Sequence, residues 1–465
     1  MKLSKLFAVL CAAALTGCSS VSESVNNIIE NDANIGKNAP AVGITLTEIT
    51  EAEVTETETS VSQKSKSEKY AERADELLSE MSADEKIGQL LLARMPANAA
   101  QVISEYNFGG YTMYADDFKN ASPESVTALT AEISSSVTIA PFIAVDEEGG
   151  TVVRVSKYTA FRDEPFSSPQ VLYGRGGAEL LEIDAKEKAE LLTSLGINLN
   201  LAPVADISED ENSYIYPRTM GQDPEHTDEA VAAIVSASAD RKLASCLKHF
   251  PGYGGNTDTH KGMAHDSREL YEFYNRDFVP FSAGINAVQD KTPAVMVGHT
   301  VYDNIDPDYP ASLSPAIHEV LRDKLEFDGV VITDDMGMDA IKEYAGGGSV
   351  YVKAILADND MICVTDYETA YNDLKAAYES GELSDDIIDS HVRRILMMKL
   401  GYGIIKEPKQ PLHKECSGCF CFCFVVIKTN KKVSTNKIKV KSLVQLFKGG
   451  GSPEGRAIWS LLPQG

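Results

Sequence analysis

The chain has 465 residues, 43% of them hydrophobic, and a formal net charge of −26. That length and apolar fraction suffice for one large core, and the acidity excludes nucleic acid as the main partner, because phosphate contacts require a clustered basic surface. Of the cysteines, only Cys246 and Cys363 fall in the body of the chain. Both sit in apolar contexts and read as small buried hydrophobes, not as a disulfide framework.

Lys2 and Lys5 precede an apolar run over residues 6–15. The run is too short to cross a bilayer, which takes roughly 20 apolar residues. Leu15-Thr16-Gly17-Cys18 looks like a bacterial lipobox, so residues 1–18 are expected to form a lipoprotein signal peptide with Cys18 as the lipidated first residue of the mature chain. Acyl chains would tether such a protein to the extracytoplasmic face of the cell membrane without spanning it. Residues 19–69, acidic and rich in Ser and Thr, hold too little contiguous apolar surface to offset their ordering entropy and are expected to be a disordered linker.

Helical periodicity starts at Tyr70, and Ser82-Ala83-Asp84-Glu85 has the spacing of a capping box that opens a second helix. Eight short apolar runs follow, at 90–95, 108–114, 142–145, 197–201, 245–248, 294–298, 330–333 and 361–364, each separated from the next by longer helical patterns. The first of them fits the end of a helix as well as a strand. Buried strands alternating with helices predict an α/β fold, a single (β/α)8 TIM-like barrel over residues 70–405. Polar residues stand directly behind these runs, namely Asp146, Asp206, His249, His299 and Asp334. Barrel active sites are built at the C-terminal ends of the strands.

Three segments carry candidate chemistry. In Asp146-Glu147-Glu148-Gly149-Gly150 the glycines allow a tight turn, and Asp146 at the strand end can accept paired hydrogen bonds from hydroxyls. Lys248-His249-Phe250-Pro251-Gly252-Tyr253-Gly254-Gly255 ends a strand and opens a loop that cannot be helical, and this loop leads to Asp258-Thr259-His260. A carboxylate such as Asp258 can orient an imidazole such as His260 for proton transfer. In Thr333-Asp334-Asp335 two acids follow a strand, and only one can face the barrel mouth, because neighbouring side chains of an extended segment point to opposite sides. Spacing does not say which one.

Together these blocks resemble glycoside hydrolase family 3, in particular its single-barrel bacterial β-N-acetylhexosaminidase branch. The resemblance spans about residues 70 to 403 and includes Gly196-Ile197-Asn198-Leu199-Asn200-Leu201-Ala202-Pro203-Val204-Ala205-Asp206 and Pro310-Ala311-Ser312-Leu313-Ser314. It implies a retaining exo-acting enzyme on N-acetylglucosamine-containing glycans, peptidoglycan fragments among them. Asp334 would be the nucleophile, His260 the acid/base and Asp258 its support, while Asp146, Arg218, Lys248 and His249 would bind the sugar and His299 would line the site. No cofactor or metal is implied, and a monomer is expected. Departures from the family pattern are Tyr253 for a frequent His, Thr151 for a frequent Arg, Glu147 for a frequent Gln and a shortened Gly255-Asn256-Thr257 stretch, which leave the aglycone preference open.

Within the family, a β-glucosidase or a phosphate-dependent phosphorylase is the alternative, since a neutral imidazole would repel an anionic acceptor less than a carboxylate does. Outside it, a non-catalytic glycan-binding lipoprotein would fit better if Asp334 or His260 were missing, and both are present. Asp303, Asp306 and Asp308 read as a solvated loop without the ligand spacing of a calcium site. Cys416, Cys419, Cys421 and Cys423 lack the paired knuckles of a zinc site. Residues 407–465 carry ten Lys/Arg against three Asp/Glu, and the atypical basic tail from 406 onward, which fits an artefactual extension at least as well as a native appendage, is assigned no function.

Overall fold

The computed structural model describes residues 69–255, 263–338, 341, 344 and 348–406. Cys18 and the expected signal segment, nearly all of the linker and the tail beyond Lys406 lie outside the described residues. The strands, in chain order, are β1 (Leu91–Arg94), β2 (Gly110–Met113), β3 (Phe142–Val145), β4 (Leu199–Asn200), β5 (Ala244–Phe250), β6 (His265–Asp266), β7 (Ala294–Val297), β8 (Val301–Tyr302), β9 (Asp306–Pro310), β10 (Val331–Thr333) and β11 (Ile362–Val364).

Eight of them form one parallel sheet in the order β10-β7-β5-β4-β3-β2-β1-β11. A parallel bridge between Ile332 and Met361 brings the two outer strands together and closes the (β/α)8 barrel. Each expected apolar run holds one barrel strand. Even the ambiguous first run resolves cleanly, with Leu90 capping the helix Ala83–Gln89 and β1 starting at the next residue. Strands β2, β3, β5 and β7 are buried at every position, because one face fills the barrel and the other lies under helices. That double burial is why they read as unbroken apolar runs and not as alternations.

The expected capping box is present. Ser82 Oγ accepts from Glu85 N at 3.3 Å, and the Glu85 carboxylate accepts from Ser82 N at 2.8 Å. Losing such a cap costs ~1 kcal/mol. Where the barrel closes, Asp360 accepts from Arg394 Nε (2.6 Å), Arg322 Nη2 (2.9 Å) and Val331 N (2.7 Å), with His391 Nδ1 at 2.9 Å. Burial opposes its charge, but the two guanidinium groups hold the carboxyl well below the usual range. The last helix, Asp385–Gly401, is thereby tied to the seam between β10 and β11.

One expectation needs correcting. Asp306 and Asp308 are not loop residues but belong to β9, which pairs antiparallel with β8 in a small sheet β6-β8-β9. As an edge strand, β9 tolerates Pro307 and Pro310, which disguised it in the sequence. Among the described residues no helix is long and apolar enough to cross a membrane.

Candidate active site

The site is assembled at the C-terminal ends of the barrel strands. Asp146 directly follows β3, Lys248 and His249 end the barrel part of β5, and Asp334 directly follows β10. Arg218 comes from the short turn Tyr216–Arg218, which follows β4 and precedes the helix Pro224–Asp240.

Lys248 is almost fully buried, with Nζ 2.7 Å from Asp146 Oδ1 and 2.7 Å from Glu148 Oε1. Burial alone would lower its pKa, but the two carboxylates raise it, so the ammonium is kept. Arg218 grips the same Glu148 through Nε (3.0 Å) and Nη2 (2.8 Å). Glu148 is itself buried, and against that burial Lys248 and Arg218 hold its carboxyl well below the ordinary range. The result is a charge-balanced cluster whose outer member, Asp146, is partly exposed toward the mouth and 3.8 Å from Arg154 Nη2. Arranged this way, fixed donors and acceptors can hold sugar hydroxyls without reorganising.

His249 is oriented by Asp206. The carboxylate takes His249 Nδ1 at 2.7 Å and His249 N at 3.0 Å on one oxygen, and Tyr253 N at 2.7 Å on the other. Arg218 Nη2 lies 3.4 Å from His249 Nε2, which connects the imidazole to the ion cluster. Asp206 was legible only as a polar residue behind a strand, and Glu148 only as part of an acidic run. Their roles as hubs were missed, because their partners are distant in sequence.

The two acids after β10 make different contacts. Asp334 N donates to Val297 O at 2.9 Å, and its carboxylate accepts from Asp335 N at 2.8 Å. Burial works against ionisation of Asp334, yet electrostatic interaction with His249, His299 and Lys248 together with the Asp335 amide holds it below the ordinary carboxylate value. Asp335 accepts from Gly337 N at 2.8 Å and from Tyr114 Oη at 3.4 Å. His299, buried, lies 2.7 Å from Ser312 Oγ and 3.1 Å from the Asp335 carbonyl, so it also buttresses the turn that presents Asp334. Burial pushes its pKa down. Cys246 and Cys363, both buried, lie within electrostatic reach of Asp146 and Asp334, and burial raises both thiols.

Glu147 has a structural task. Its buried carboxylate accepts from Arg154 N, Val155 N and Ser156 N, and from Ser156 Oγ, which pins the loop after β3. Asp146, Arg218, Lys248, His249 and Asp334 are thus brought to one end of the barrel, whereas Asp258 and His260 lie outside the described residues.

The barrel thus presents a carboxylate and a polar clamp at one end, and sequence comparison gives the family. The model described as the glycosyl hydrolase family 3 N terminal domain matches residues 82–398, and the chain belongs to that family. The β-hexosaminidase of Stenotrophomonas maltophilia (strain K279a) is 37% identical over 263 residues, 55% of this chain and 75% of that one. The β-hexosaminidase of Methylococcus capsulatus (strain ATCC 33009 / NCIMB 11132 / Bath) is 29% identical over 290 residues, 62% of this chain and 84% of that one. Among solved structures, a family 3 β-N-acetylglucosaminidase from Paenibacillus sp. str. FPU-7 matches with a TM-score of 0.63 at 28% identity, covering 77% of this chain and 66% of that one.

Proposed function

We propose that the protein is a retaining exo-β-N-acetylhexosaminidase that removes terminal β-linked N-acetylglucosamine from glycans such as peptidoglycan fragments. The observation that carries this reading is the place of Asp334, directly behind β10, with its backbone N donating to Val297 O at 2.9 Å and its carboxylate accepting from Asp335 N at 2.8 Å, at the same end of the barrel as the clamp of Lys248, Asp146 and Arg218. A carboxylate kept charged in a buried site can attack an anomeric carbon, and the clamp of Asp146, Lys248, Arg218 and His249 can hold the sugar for that attack. β-Hexosaminidases and β-N-acetylglucosaminidases are the relatives this chain resembles most consistently.

In this reading Asp334 forms an ester with the anomeric carbon while His260, oriented by Asp258, gives its proton to the departing oxygen. His260 then takes a proton from water, which attacks the ester and releases the sugar with its original configuration. Lipidation at Cys18 would place the enzyme at the extracytoplasmic face of the membrane, acting as a monomer.

A panel of aryl β-glycosides assayed with and without inorganic phosphate tests the proposal. Cleavage of the β-N-acetylglucosaminide to free sugar in both conditions is expected. A sugar phosphate as the main product would make the protein a phosphorylase, and preference for the β-glucoside would overturn the sugar assignment.

A further inference from the structure

The block Pro310-Ala311-Ser312-Leu313-Ser314 has no part in the sugar clamp, yet both of its serines are buried. Ser314 has an evident task, since its hydroxyl donates to Asp306 Oδ2 at 2.6 Å and accepts from Ile317 N at 3.2 Å, capping the helix Pro315–Glu319. Ser312 has a different partner. Its backbone N donates to Gly298 O at 3.0 Å, just past β7, and the side-chain amide of Asn359 donates to its carbonyl at 2.8 Å, so the residue is held on both sides. From there its hydroxyl reaches His299 Nδ1 at 2.7 Å.

The other ring nitrogen settles which group donates. His299 Nε2 lies 3.1 Å from the Asp335 carbonyl, which can only accept, so Nε2 carries the proton. Nδ1 of the neutral ring is then an acceptor, and Ser312 gives it the hydroxyl proton. Burial pushes the His299 pKa down, in keeping with a neutral ring. Both ring nitrogens are thereby engaged within the protein. The end of β7 and the residue behind it thus hold the nucleophile's turn at two points: Val297 O takes Asp334 N at 2.9 Å, and His299 Nε2 donates to the carbonyl of the next residue. Between these anchors Asp335 N donates to the Asp334 carboxylate at 2.8 Å.

We infer that Ser312 is a positioning residue for the nucleophile: through His299 it fixes the Asp335 carbonyl, and with it the direction in which the Asp334 carboxylate is presented. This rests on the function proposed above. Ser312 acts only through the imidazole. Its loss should slow the attack by Asp334 whatever the leaving group, and leave the grip of Asp146, Lys248 and Arg218 on the sugar as it was.

The test uses full-length Ser312→Ala, Ser312→Cys, His299→Phe and His299→Gln, each checked for folding by circular dichroism. For each, kcat/KM is measured on a β-N-acetylglucosaminide with a dinitrophenolate leaving group and on a disaccharide, together with the inhibition constant of free N-acetylglucosamine. Misplacing a catalytic group by an ångström can cost roughly 100-fold, so His299→Phe, which removes both ring contacts, should lose about that factor and Ser312→Ala, which removes one, about tenfold. His299→Gln keeps an N–H for the Asp335 carbonyl and should recover part of the loss. Both substrates should slow alike, and the inhibition constant should hold. Ring-nitrogen NMR of labelled histidine should show His299, identified by its absence from His299→Phe, with the proton on Nε2. Wild-type rates in folded Ser312→Ala and His299→Phe, or a rise in the inhibition constant matching the loss of rate, would overturn the role, as would a proton on Nδ1 alone. Should Ser312→Ala not fold, Ser312→Cys, which keeps the shape with a weaker donor, decides the matter on the same measurements. A wild type inactive on both substrates would instead overturn the function proposed above, and with it this role for Ser312.

Discussion

Arg218 and Glu148 are joined by two parallel hydrogen bonds, at 3.0 and 2.8 Å, across 70 residues of sequence. The pair fixes the guanidinium beside His249 and leaves the second partner of Glu148, Lys248, with its charge balanced.

Removing that balance should be costly. Glu148→Gln keeps the shape but strands buried Arg218 and leaves buried Lys248 with Asp146 alone, and breaking a buried ion pair from one side costs ~3–5 kcal/mol. The variant should melt well below the wild type, and its remaining folded fraction should show a raised KM. Arg218→Lys, which retains charge but not the fork, should raise KM with a smaller loss of stability. Thermal melts and steady-state kinetics on an aryl β-N-acetylglucosaminide check both, and an unchanged KM in Arg218→Lys would remove Arg218 from the sugar clamp.

The sequence displays the barrel because buried parallel strands are uniformly apolar and the residues behind them, Asp146, His249 and Asp334, are polar where nothing in packing demands it. It does not display Glu148 as the hub, Asp206 as the support of His249 or the Asp360 cluster. Those depend on contacts such as Arg394 with Asp360, 34 residues apart, which leave no local pattern. Spacing does not choose between Asp334 and Asp335, and only the family resemblance points to Asp334; the turn that Asp335 closes on Gly337 leaves no mark in the sequence pattern. Strand β9 was hidden by its prolines.

Stability should depend on pH through Asp277. Burial raises its pKa to about 6, although Arg268 and Arg276 oppose the shift, and nearby Asp206 reinforces it. A folded pKa above the unfolded value means that the associated stability is full below pH ~4 and is lost as pH rises through about 6. Asp277→Asn abolishes this titration. The stability of the wild type relative to Asp277→Asn should therefore fall between pH ~4 and ~7, by up to ~3 kcal/mol. Melts of both proteins at the two pH values check it, and a constant difference would contradict it.

Truncation after Ile405 should leave folding and turnover intact. Every barrel strand, and the helix Asp385–Gly401 that is tied to the closing seam through Arg394, lies before that point. A melting temperature and kcat equal to those of the full chain are expected, and a large drop in either would show that the basic tail contributes to the fold or the site.

The central claim is that Asp334, and not its neighbour Asp335, forms the covalent bond to the sugar. Incubation with a fluorinated β-N-acetylglucosaminide carrying a dinitrophenolate leaving group slows the second step more than the first, so the ester accumulates. Peptide mass spectrometry should then find the sugar on Asp334, and Asp334→Asn should give no adduct. An adduct on Asp335, or steady dinitrophenolate release by Asp334→Asn at the wild-type rate, would contradict the account.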